Sequence, residues 1–411
     1  MYDWANSAFV TTILTAVFPI YFTRVAAKPL GHESATGVFL VATTIGMVLS
    51  ALLSPYLGAL ADCSGRTKRM LAVSLAVALA ATASLFFAGE GDWRAAAALF
   101  AVANIGATAS FVFYDSLLPR IASREEVDRV SSAGYALGYV GGGLLLALNL
   151  AWIKSPGTFG IPEGDATLPA RLAFLSVAVW WLVFSIPLFR RVAEPPASPR
   201  ATKGPLAAEA FSRLRQTYRE LRRYPHALRM LGAFLLYNDG IGTVIRVAAI
   251  YGAEKNLPDQ DLIGAILLVQ FVGIPFAFAF GWLAGRIGAK RAVLAGIAVY
   301  FVIAALGFLM ETMTHFYALA LLVAMVQGGT QALSRSLFAN LVPPHKTAEF
   351  FGFFGVAEKF GGVVGPPSFA LVAWLCGESR YGVLTVIPFF GLGAWLLSRV
   401  DVERGRADAL A

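Results

Sequence analysis

The sequence predicts an all-α membrane protein with twelve transmembrane helices in two related six-helix halves, and three observations lead to this prediction. Hydrophobic residues make up 57% of the 411 residues and charged residues only 14%, whereas about 25% of an average soluble domain is charged. Apolar stretches of about 20 residues, the length that crosses a bilayer as a helix, recur along the chain. Two sequence patterns of the first half return in the second half at nearly constant spacing.

Clusters of Gly, Pro and charged residues divide the apolar stretches into twelve predicted spans. The spans are 4–23, 36–60, 70–88, 95–118, 132–152, 170–189, 228–251, 262–284, 292–310, 315–340, 351–375 and 382–399. We expect residues 1–190 to form an N-terminal six-helix bundle, and residues 228–411 to form a C-terminal bundle with a short cytoplasmic tail. Residues 191–227 begin with a Pro-rich stretch, which indicates a cytoplasmic linker.

Part of this linker has the pattern of an amphipathic helix. Residues 207–224 place Phe211, Leu214, Tyr218 and Leu221 at helical spacing among several arginines. This pattern is typical of a helix that lies on the cytoplasmic headgroups of a membrane. A solvated connector between the two bundles is the alternative.

The positions of Lys and Arg predict which side of the membrane each loop faces. With the N-terminus inside, most of the 33 Lys and Arg residues fall in the inner loops. By the positive-inside rule, both termini are therefore expected in the cytoplasm. We expect the protein to lie in the inner (plasma) membrane. The net charge of +8 follows from this topology and implies no nucleic-acid partner. Cys63 is then expected to face the cytoplasm, and Cys376 the outside or the outer membrane interface.

The internal repeat connects positions that lie far apart in the chain. The loop 58–69 after the second span returns in degenerate form as 281–291 after the eighth span, and the string Asp115-Ser-Leu returns as Arg335-Ser-Leu. Nearly equal offsets indicate a duplication of one six-helix unit. We expect the two halves to be related by an axis along the membrane normal.

The loop after the second span carries a spaced set of small, acidic and basic residues, namely Gly58, Asp62, Gly65, Arg66 and Arg69. This pattern resembles the signature loop of the major facilitator superfamily. The resemblance implies that glycine allows a tight turn, that Asp62 lies near a helix N-terminus, and that the arginines stay at the cytoplasmic surface. Gly285 replaces Asp62 in the second copy, so we expect the contact between carboxylate and helix only in the first half.

Three longer strings resemble a narrower branch of this superfamily. They are residues 2–9, 135–143 and 327–338. The branch is the "unknown major facilitator" family, which is related to the fungal vacuolar amino-acid effluxer associated with autophagy. The resemblance covers nearly the whole chain and implies a secondary transporter with the major facilitator fold.

Polar side chains inside the predicted spans are costly in lipid and by default mark a pathway or a site. The candidates for lining a substrate cavity are Asn6, Thr11, Asn104, Thr108, Tyr237, Asn238, Gln327 and Gln331. In the fourth and tenth spans they recur at intervals of one helical turn, so they share one helix face. We expect these faces to line a central cavity.

A second set of charged residues is expected to act in gating or coupling: Asp115, Arg335, Asp239, Arg246, Glu358 and Lys359. Asp115 and Arg335 hold equivalent positions in the repeat and carry opposite charges. We therefore expect an ion pair that bridges the halves when the cytoplasmic side closes. In the alternative, each charge is satisfied within its own half. Arg335 would then pair with Glu358, and Asp115 with Arg120 or Tyr139.

Two carboxylates within the spans are candidates for proton coupling. Asp239 lies deep in the seventh span, where burial disfavours the charged form of a carboxyl group. Its alternative role is a fixed ion pair with Arg246. Glu358 lies near the cytoplasmic end of the eleventh span, where it either pairs with Lys359 or Arg335 or takes part in coupling.

These features favour a secondary active transporter over other classes of protein. We expect it to move a small polar organic solute by alternating access, with amino acids as the class that the resemblance favours and with proton coupling. The alternatives are a receptor or assembly factor on the same scaffold, and a lipid or drug exporter. A receptor would not need polar stripes in both halves.

The sequence contains no nucleophile elbow, phosphate-binding loop or His cluster, so we expect no enzyme activity and no cofactor. It also shows no metal-ligand pattern. The expected partners are a small-molecule substrate, membrane lipids and protons. The chain is expected to act as a monomer.

Overall fold

The computed structural model describes residues 1–123, 125–162, 164–194, 223–254, 259–361 and 363–410, and these residues form helices and no strand. The longer helices are α1 (Tyr2–Ala26), α2 (His32–Ser64), α3 (Thr67–Ser84), α4 (Trp93–Ser116), α5 (Val127–Lys154), α6 (Leu168–Arg191), α7 (Pro225–Glu254), α8 (Asp259–Ile287), α9 (Ala289–Phe308), α10 (Met313–Leu341), α11 (Thr347–Phe360), α12 (Gly365–Cys376), α13 (Val386–Ser398) and α14 (Val402–Leu410). Within the described ranges, eleven helical segments are long and apolar enough to cross a membrane. Helix α7, which is not among the eleven, occupies the seventh predicted span. The all-α membrane fold is confirmed, and the helices are consistent with twelve spans.

The first span is a helix with two wide turns. Residues Phe9–Ala16 and Phe22–Ala26 are π-helical, and one α-helical turn separates them. That turn contains Pro19, which has no N–H to donate to the helix ladder. Wide turns are a known way of accommodating such an interruption, and they are frequent at functional sites. The periodicity of the sequence predicted a helix here but did not reveal its irregularity.

The eleventh predicted span, 351–375, consists of two helices rather than one. Helix α11 ends at Phe360, and α12 begins at Gly365. Pro366 and Pro367 lie in the first turn of α12, where the missing N–H groups would have no partner within the helix. The prolines thus start a helix at this point instead of bending one.

The chain divides into two compact units, and unit 1 contains residues 1–53, 66–113 and 137–194. Aromatic side chains form much of its interior. Phe18 stacks on Phe100 with ring centroids 4.8 Å apart, and Phe174 meets Phe18 edge to face at 5.7 Å. Trp181 is fully buried among Tyr2, Phe9 and Phe111.

Unit 2 contains residues 54–65, 114–136 and 195–411. Its interior is a large apolar cluster built around α7, α9 and α10, in which Phe234 stacks on Phe354 at 4.2 Å. Nearly all residues from 328 to 341 of α10 are buried. Unit 2 therefore combines the C-terminal half of the sequence with two short segments of the N-terminal half.

The predicted linker helix of residues 207–224 lies almost wholly in the range 195–222, which is outside the described residues. The division of the chain into bundles at 190 and 228 stays a prediction. The C-terminal tail, predicted as a short cytoplasmic segment without assigned structure, contains helix α14.

Candidate functional site

Unit 2 holds an interface at which two N-terminal segments, 54–65 and 114–136, contact helices of the C-terminal half. We call these contacts the inter-half interface. At its centre, Arg335 Nη1 lies 2.9 Å from Asp115 Oδ1, and the two side chains are only 5% and 14% exposed. These are the two residues that the sequence repeat relates. Arg120, one of the two alternative partners named for Asp115, donates from Nη2 to the Pro344 carbonyl at 3.1 Å.

The guanidinium of Arg335 is enclosed by residues of α4 and α5. Its Nε donates to Ser131 Oγ at 3.0 Å, and Nη2 donates to the Ser131 carbonyl at 3.3 Å. The ring of Tyr135 lies 4.8 Å from the guanidinium carbon, and that of Tyr114 lies 5.9 Å away, both within cation–π range. A buried ion pair is sustained only when further hydrogen bonds satisfy its polar atoms. Ser131 supplies those hydrogen bonds and Tyr135 adds the cation–π contact, and neither residue was among the sequence-based candidates.

The second contact of the interface joins the end of α2 to the start of α11. Asp62 Oδ2 accepts a hydrogen bond from the Glu349 N–H at 2.8 Å, in the first turn of α11. The carboxylate thus satisfies a backbone donor that has no partner within its own helix, where the helix dipole also favours a negative charge. This is the helix N-terminus beside which the resemblance placed Asp62.

The same two helices touch backbone to backbone. A Cβ on Gly58 would lie 2.1 Å from the Ala348 carbonyl oxygen. Conversely, a Cβ on Gly352 would lie 2.6 Å from both Pro55 Cα and the Ser54 oxygen. Neither position has room for a side chain, because the obstructing atoms belong mainly to backbone.

A related but weaker contact joins α8 and α5. Gly281, the counterpart of Gly58 in the repeat, faces Ser132, whose Cβ would lie 2.8 Å from a Cβ on the glycine. Gly285, the counterpart of Asp62, has no heavy atom within 4 Å of where its Cβ would be. The second copy of the loop thus keeps the glycine contact and leaves the position of the carboxylate open.

The remaining residues of the signature loop turn the chain and cap helices. Gly65 has a positive φ of 60°, which glycine adopts without strain, and Arg66 and Arg69 are exposed. Lys68 Nζ donates to the carbonyls of Phe189, at 3.1 Å, and Val192, at the end of α6. In the second copy, Lys290 Nζ caps the end of α13 in the same way, through the carbonyls of Ser398 at 2.8 Å and Val400 at 2.7 Å.

Helix α7 holds the break between α11 and α12. Asn238 Nδ2 donates to the Glu358 carbonyl at 3.2 Å, near the end of α11. Asp239, which is 3% exposed, accepts at Oδ2 from the Gly365 N–H at 3.0 Å, at the start of α12. Two predicted site residues therefore act on the backbone of a discontinuous helix. Transporters often build their binding sites at such breaks.

The other candidates of the C-terminal half are distributed more widely. Tyr237 is fully buried, and its hydroxyl lies 2.5 Å from Ser334 Oγ. Gln327, Gln331 and Lys359 are half-buried, whereas Arg246 and Glu358 are exposed. Tyr237 packs in the apolar interior of unit 2, so its contacts are those of a core residue.

The four N-terminal candidates for lining a cavity, Asn6, Thr11, Asn104 and Thr108, lie in unit 1 and are buried. Thr11 Oγ1 donates to Ser7 O at 3.0 Å and lies 3.2 Å from Gly142 O, while Asn6 is 9% exposed. Asn104 Oδ1 and Thr108 Oγ1, one turn apart on α4, are buried and have no hydrogen-bond partner among the described residues. Buried polar atoms normally have partners, so these two predicted residues stay candidates for contact with a polar ligand.

A polar chain in unit 1 was not predicted. Asn149 Nδ2 donates to Thr12 Oγ1 at 3.4 Å, and Ser176 Oγ donates to Asn149 Oδ1 at 3.0 Å. It links α1, α5 and α6. The sequence signal for this chain is an amide, Asn149, within the fifth predicted span, where a polar side chain is costly in lipid. In the structure Asn149 is fully buried.

Comparison with known proteins places the chain in a family. Residues 29–410 match the sequence model of the family described as "Vacuole effluxer Atg22 like". The chain is 33% identical over 405 residues to an uncharacterized MFS-type transporter, YxiO, of Bacillus subtilis, covering 98% of this chain and 94% of that protein. It is 28% identical over 310 residues to autophagy-related protein 22-1 of Aspergillus fumigatus, but there the match covers 69% of this chain and 49% of the fungal protein. The chain thus spans about half the length of its fungal relatives.

Solved structures of major facilitator transporters have the same fold. The structure of the proton:xylose symporter XylE matches with a TM-score of 0.71 at 14% sequence identity, covering 97% of this chain and 94% of that one. FucP in the outward conformation matches with a TM-score of 0.70 at 12% identity, covering 97% of both chains. At such low identity the likeness concerns the fold alone. It confirms the major facilitator fold that the resemblance implied.

Proposed function

We propose that the chain carries a small polar organic solute across a membrane by alternating access. It belongs to the family of Atg22-like vacuole effluxers and is a transporter of the major facilitator type. Amino acids are the class we expect, since the family is related to the fungal vacuolar amino-acid effluxer. The buried polar groups of both sequence halves support a polar solute. They would be an unexplained cost in a transporter of apolar drugs.

The observation that carries this proposal is the ion pair between Asp115 and Arg335. It links a segment of the N-terminal half to a helix of the C-terminal half within unit 2. Because the pair is almost fully enclosed, it forms only when the facing helices are in contact. When they separate, water solvates each charge by itself. Such a pair is a two-state element whose equilibrium a substrate can shift.

The pair acts on the balance between conformations more than on stability. Desolvation offsets much of the attraction in a buried ion pair, whereas removing one partner leaves an uncompensated charge and costs about 3–5 kcal/mol. A bias of about 1.4 kcal/mol already changes the ratio of two states tenfold. The inter-half interface is therefore proposed as the cytoplasmic gate, with the charges held together in the state in which that side is closed.

A charge exchange tests the gate. Purified protein in proteoliposomes is assayed for uptake of radiolabelled amino acids, with Asp115→Arg, Arg335→Asp and the double exchange. We expect each single variant to lose at least tenfold in transport rate, because two like charges then face each other, and the double variant to recover a measurable part. A folded double variant no better than the worse single variant would contradict the cross-half gate.

The remaining assignments are part of the same proposal. Both termini are placed in the cytoplasm, the protein in the inner membrane, and the two six-helix bundles on either side of the linker 191–227. Asp239 is the proposed proton-coupling group, since its carboxylate is buried at the break between α11 and α12. Asn104 and Thr108 are proposed to contact the solute. The proposed functional form is a monomer.

A further inference from the structure

A polar cavity in unit 2 lies where the second copy of the signature loop lacks a side chain. Gly285 stands at the position that Asp62 holds in the first copy, and it lines a cavity of about 870 Å³. A Cβ atom on Gly285 would meet no heavy atom within 4 Å. The cavity is therefore open at the point that a carboxylate fills in the first copy. Its volume is in the range of small-molecule sites.

Four parts of unit 2 form the walls: the start of α5, the turn between α8 and α9, the end of α10, and helix α14. Charged residues of both signs line it: Glu125, Asp128, Lys290, Arg291, Glu403 and Arg406. Lys290 is already engaged, because its Nζ caps the end of α13. Arg406 donates from Nη1 to Glu403 Oε1 at 3.1 Å.

Two lining residues each retain a buried polar atom. Within the described part of the chain, Asp128 Oδ1 and Arg406 Nε have no hydrogen-bond partner. The rest of the Asp128 carboxylate is engaged by a hydrogen bond with the Ser336 hydroxyl and by the charge of the Arg406 guanidinium. A buried polar atom without a partner is costly, and most costly when it belongs to a charged group. One cavity thus holds a carboxylate oxygen and a guanidinium N–H that each lack a hydrogen-bond partner, although the other atoms of both groups are engaged.

We propose that this cavity binds a small zwitterion of the amino-acid class, whose ammonium group donates to Asp128 and whose carboxylate accepts from Arg406. An ammonium offers only donors and a carboxylate only acceptors, so each satisfies one of the two groups. The carboxylate of the ligand would occupy space next to Gly285. This is a second ligand site, and it rests on the groups of the cavity rather than on the proposed transport function.

Helix α14 gives the site a means of acting on the protein. It contributes Glu403, Arg406 and Leu410 to the cavity, whereas Asp128 belongs to the N-terminal segment of the inter-half interface. Helix α14 is itself anchored, since a Cβ on Gly405 would lie 2.4 Å from Leu341 Cδ2. A bound zwitterion would connect α14 to α5. It would therefore favour the state in which the inter-half interface is formed.

The test measures calorimetric binding to the full chain in phosphatidylcholine nanodiscs. The probes are leucine, isopentylamine, which keeps only the ammonium group, and 4-methylpentanoate, which keeps only the carboxylate. We expect leucine to bind at least tenfold more tightly than either analogue. Asp128→Asn should weaken leucine and isopentylamine about tenfold and spare 4-methylpentanoate. Arg406→Gln should weaken leucine and 4-methylpentanoate and spare isopentylamine.

Two control variants and one variant that fills the cavity complete the test. Glu126→Gln and Arg404→Gln remove charges from the neighbouring exposed positions, which do not line the cavity, and should leave all three affinities unchanged. Gly285→Asp places a carboxylate in the open position and should abolish this component of leucine binding. The variant should still fold, because its side chain enters empty space.

The outcomes separate this site from the transport function. Equal leucine affinity in the wild type, Asp128→Asn, Arg406→Gln and Gly285→Asp would overturn the proposal, and so would the absence of leucine binding to the wild type. If both single variants weaken all three probes equally, Asp128 and Arg406 pair directly with each other and the site is wrong. If the expected pattern appears but proteoliposomes take up no amino acid, the second site stands and the proposed substrate class fails.

Discussion

Among single residues, Gly58 has the least room in the inter-half interface, since its α-carbon faces the carbonyl of Ala348. Gly58→Ala should prevent α2 and α11 from approaching fully, because backbone atoms cannot move aside as a side chain can. Overpacking of this kind costs about 1–3 kcal/mol. We expect a roughly tenfold or larger fall in the initial rate of uptake by proteoliposomes.

Gly37→Ala is the matched control for this substitution. It lies on the same helix, and its Cβ would meet no heavy atom within 4 Å. Both variants gain the helix propensity of alanine, so a difference between them reports the contact alone. Equal uptake rates in the two variants would show that the close approach of α2 and α11 has no role in transport.

The pairing of Asp115 with Arg335 could be anticipated because duplication related two residues of opposite charge. The role of Ser131 could not. Its hydroxyl donates to the Ala332 carbonyl at 2.7 Å and accepts from Arg335. Nothing in the sequence distinguishes this serine from serines whose hydroxyl donates a hydrogen bond to a carbonyl of their own helix. Its partners lie about half the chain away, so only the assembled structure identifies it.

Asp239 is proposed to couple transport to protons, and it also accepts the hydrogen bond that holds the start of α12. Two substitutions separate these two roles. Asp239→Asn keeps an oxygen that can accept from the Gly365 N–H, but it cannot exchange a proton. Asp239→Ala removes both functions. If the carboxylate couples transport to protons, the Asn variant should remain folded and lose proton-driven uptake while retaining solute exchange. This is measured in vesicles with and without an imposed pH gradient. Full proton-driven uptake in Asp239→Asn would restrict the residue to capping α12.

Among elements, two equivalent lysines cap the helix that forms the last predicted span of each sequence half, α6 and α13. Lys290→Met removes two hydrogen bonds from a charged donor to the end of α13, and Lys68→Met does the same for α6. Hydrogen bonds of charged groups contribute about 1.5–3 kcal/mol each, less where water competes. We expect each variant to unfold several degrees below the wild type in a thermal scan.

Exposed neighbours provide the comparison for the lysines. Arg69→Met and Arg291→Met remove a charge of the same sign from the adjacent position on each loop. If these variants lower the unfolding temperature as much as the lysine variants do, the effect belongs to the net charge of the loop and not to the capping of a helix.

The described residues hold a helix at each predicted span, consistent with twelve, but the periodicity of the sequence did not reveal the interruptions within the spans. The eleventh span was predicted as one helix because its apolar pattern is continuous. Its division depends on Asp239 and Asn238, which hold the free backbone groups from another helix. Long-range hydrogen bonds of this kind leave no local pattern. The two prolines at 366 and 367 are a local signal for a break, because proline is favoured in the first turn of a new helix.

For the whole molecule, composition and span length were sufficient to predict an all-α membrane protein, since lipid leaves few alternatives to helices, and the resemblance of the sequence strings added the major facilitator fold. The topology stays a prediction, and cysteine labelling tests it. Cys376 is exposed and should react with a membrane-impermeant maleimide in intact cells. In a Cys376→Ser background, Arg404→Cys on helix α14 should react only after the cells are permeabilised.

Cys63 is the internal control for burial in this labelling experiment. It is buried, so it should stay unlabelled in the folded protein from either side and react after denaturation. Labelling of the Arg404→Cys variant in intact cells, together with protection of Cys376, would reverse the orientation of every helix.

The enclosure of Arg335 and Asp115 also makes water a participant in the proposed cycle. Each time the inter-half interface opens, both charges and the facing helix surfaces take up water, and each time it closes they release it. Solutes that are excluded from protein surfaces favour the state with less exposed surface. Osmotic strength would therefore act on this transporter as an effector without a binding site, and dehydration of the cell would itself hold the gate closed.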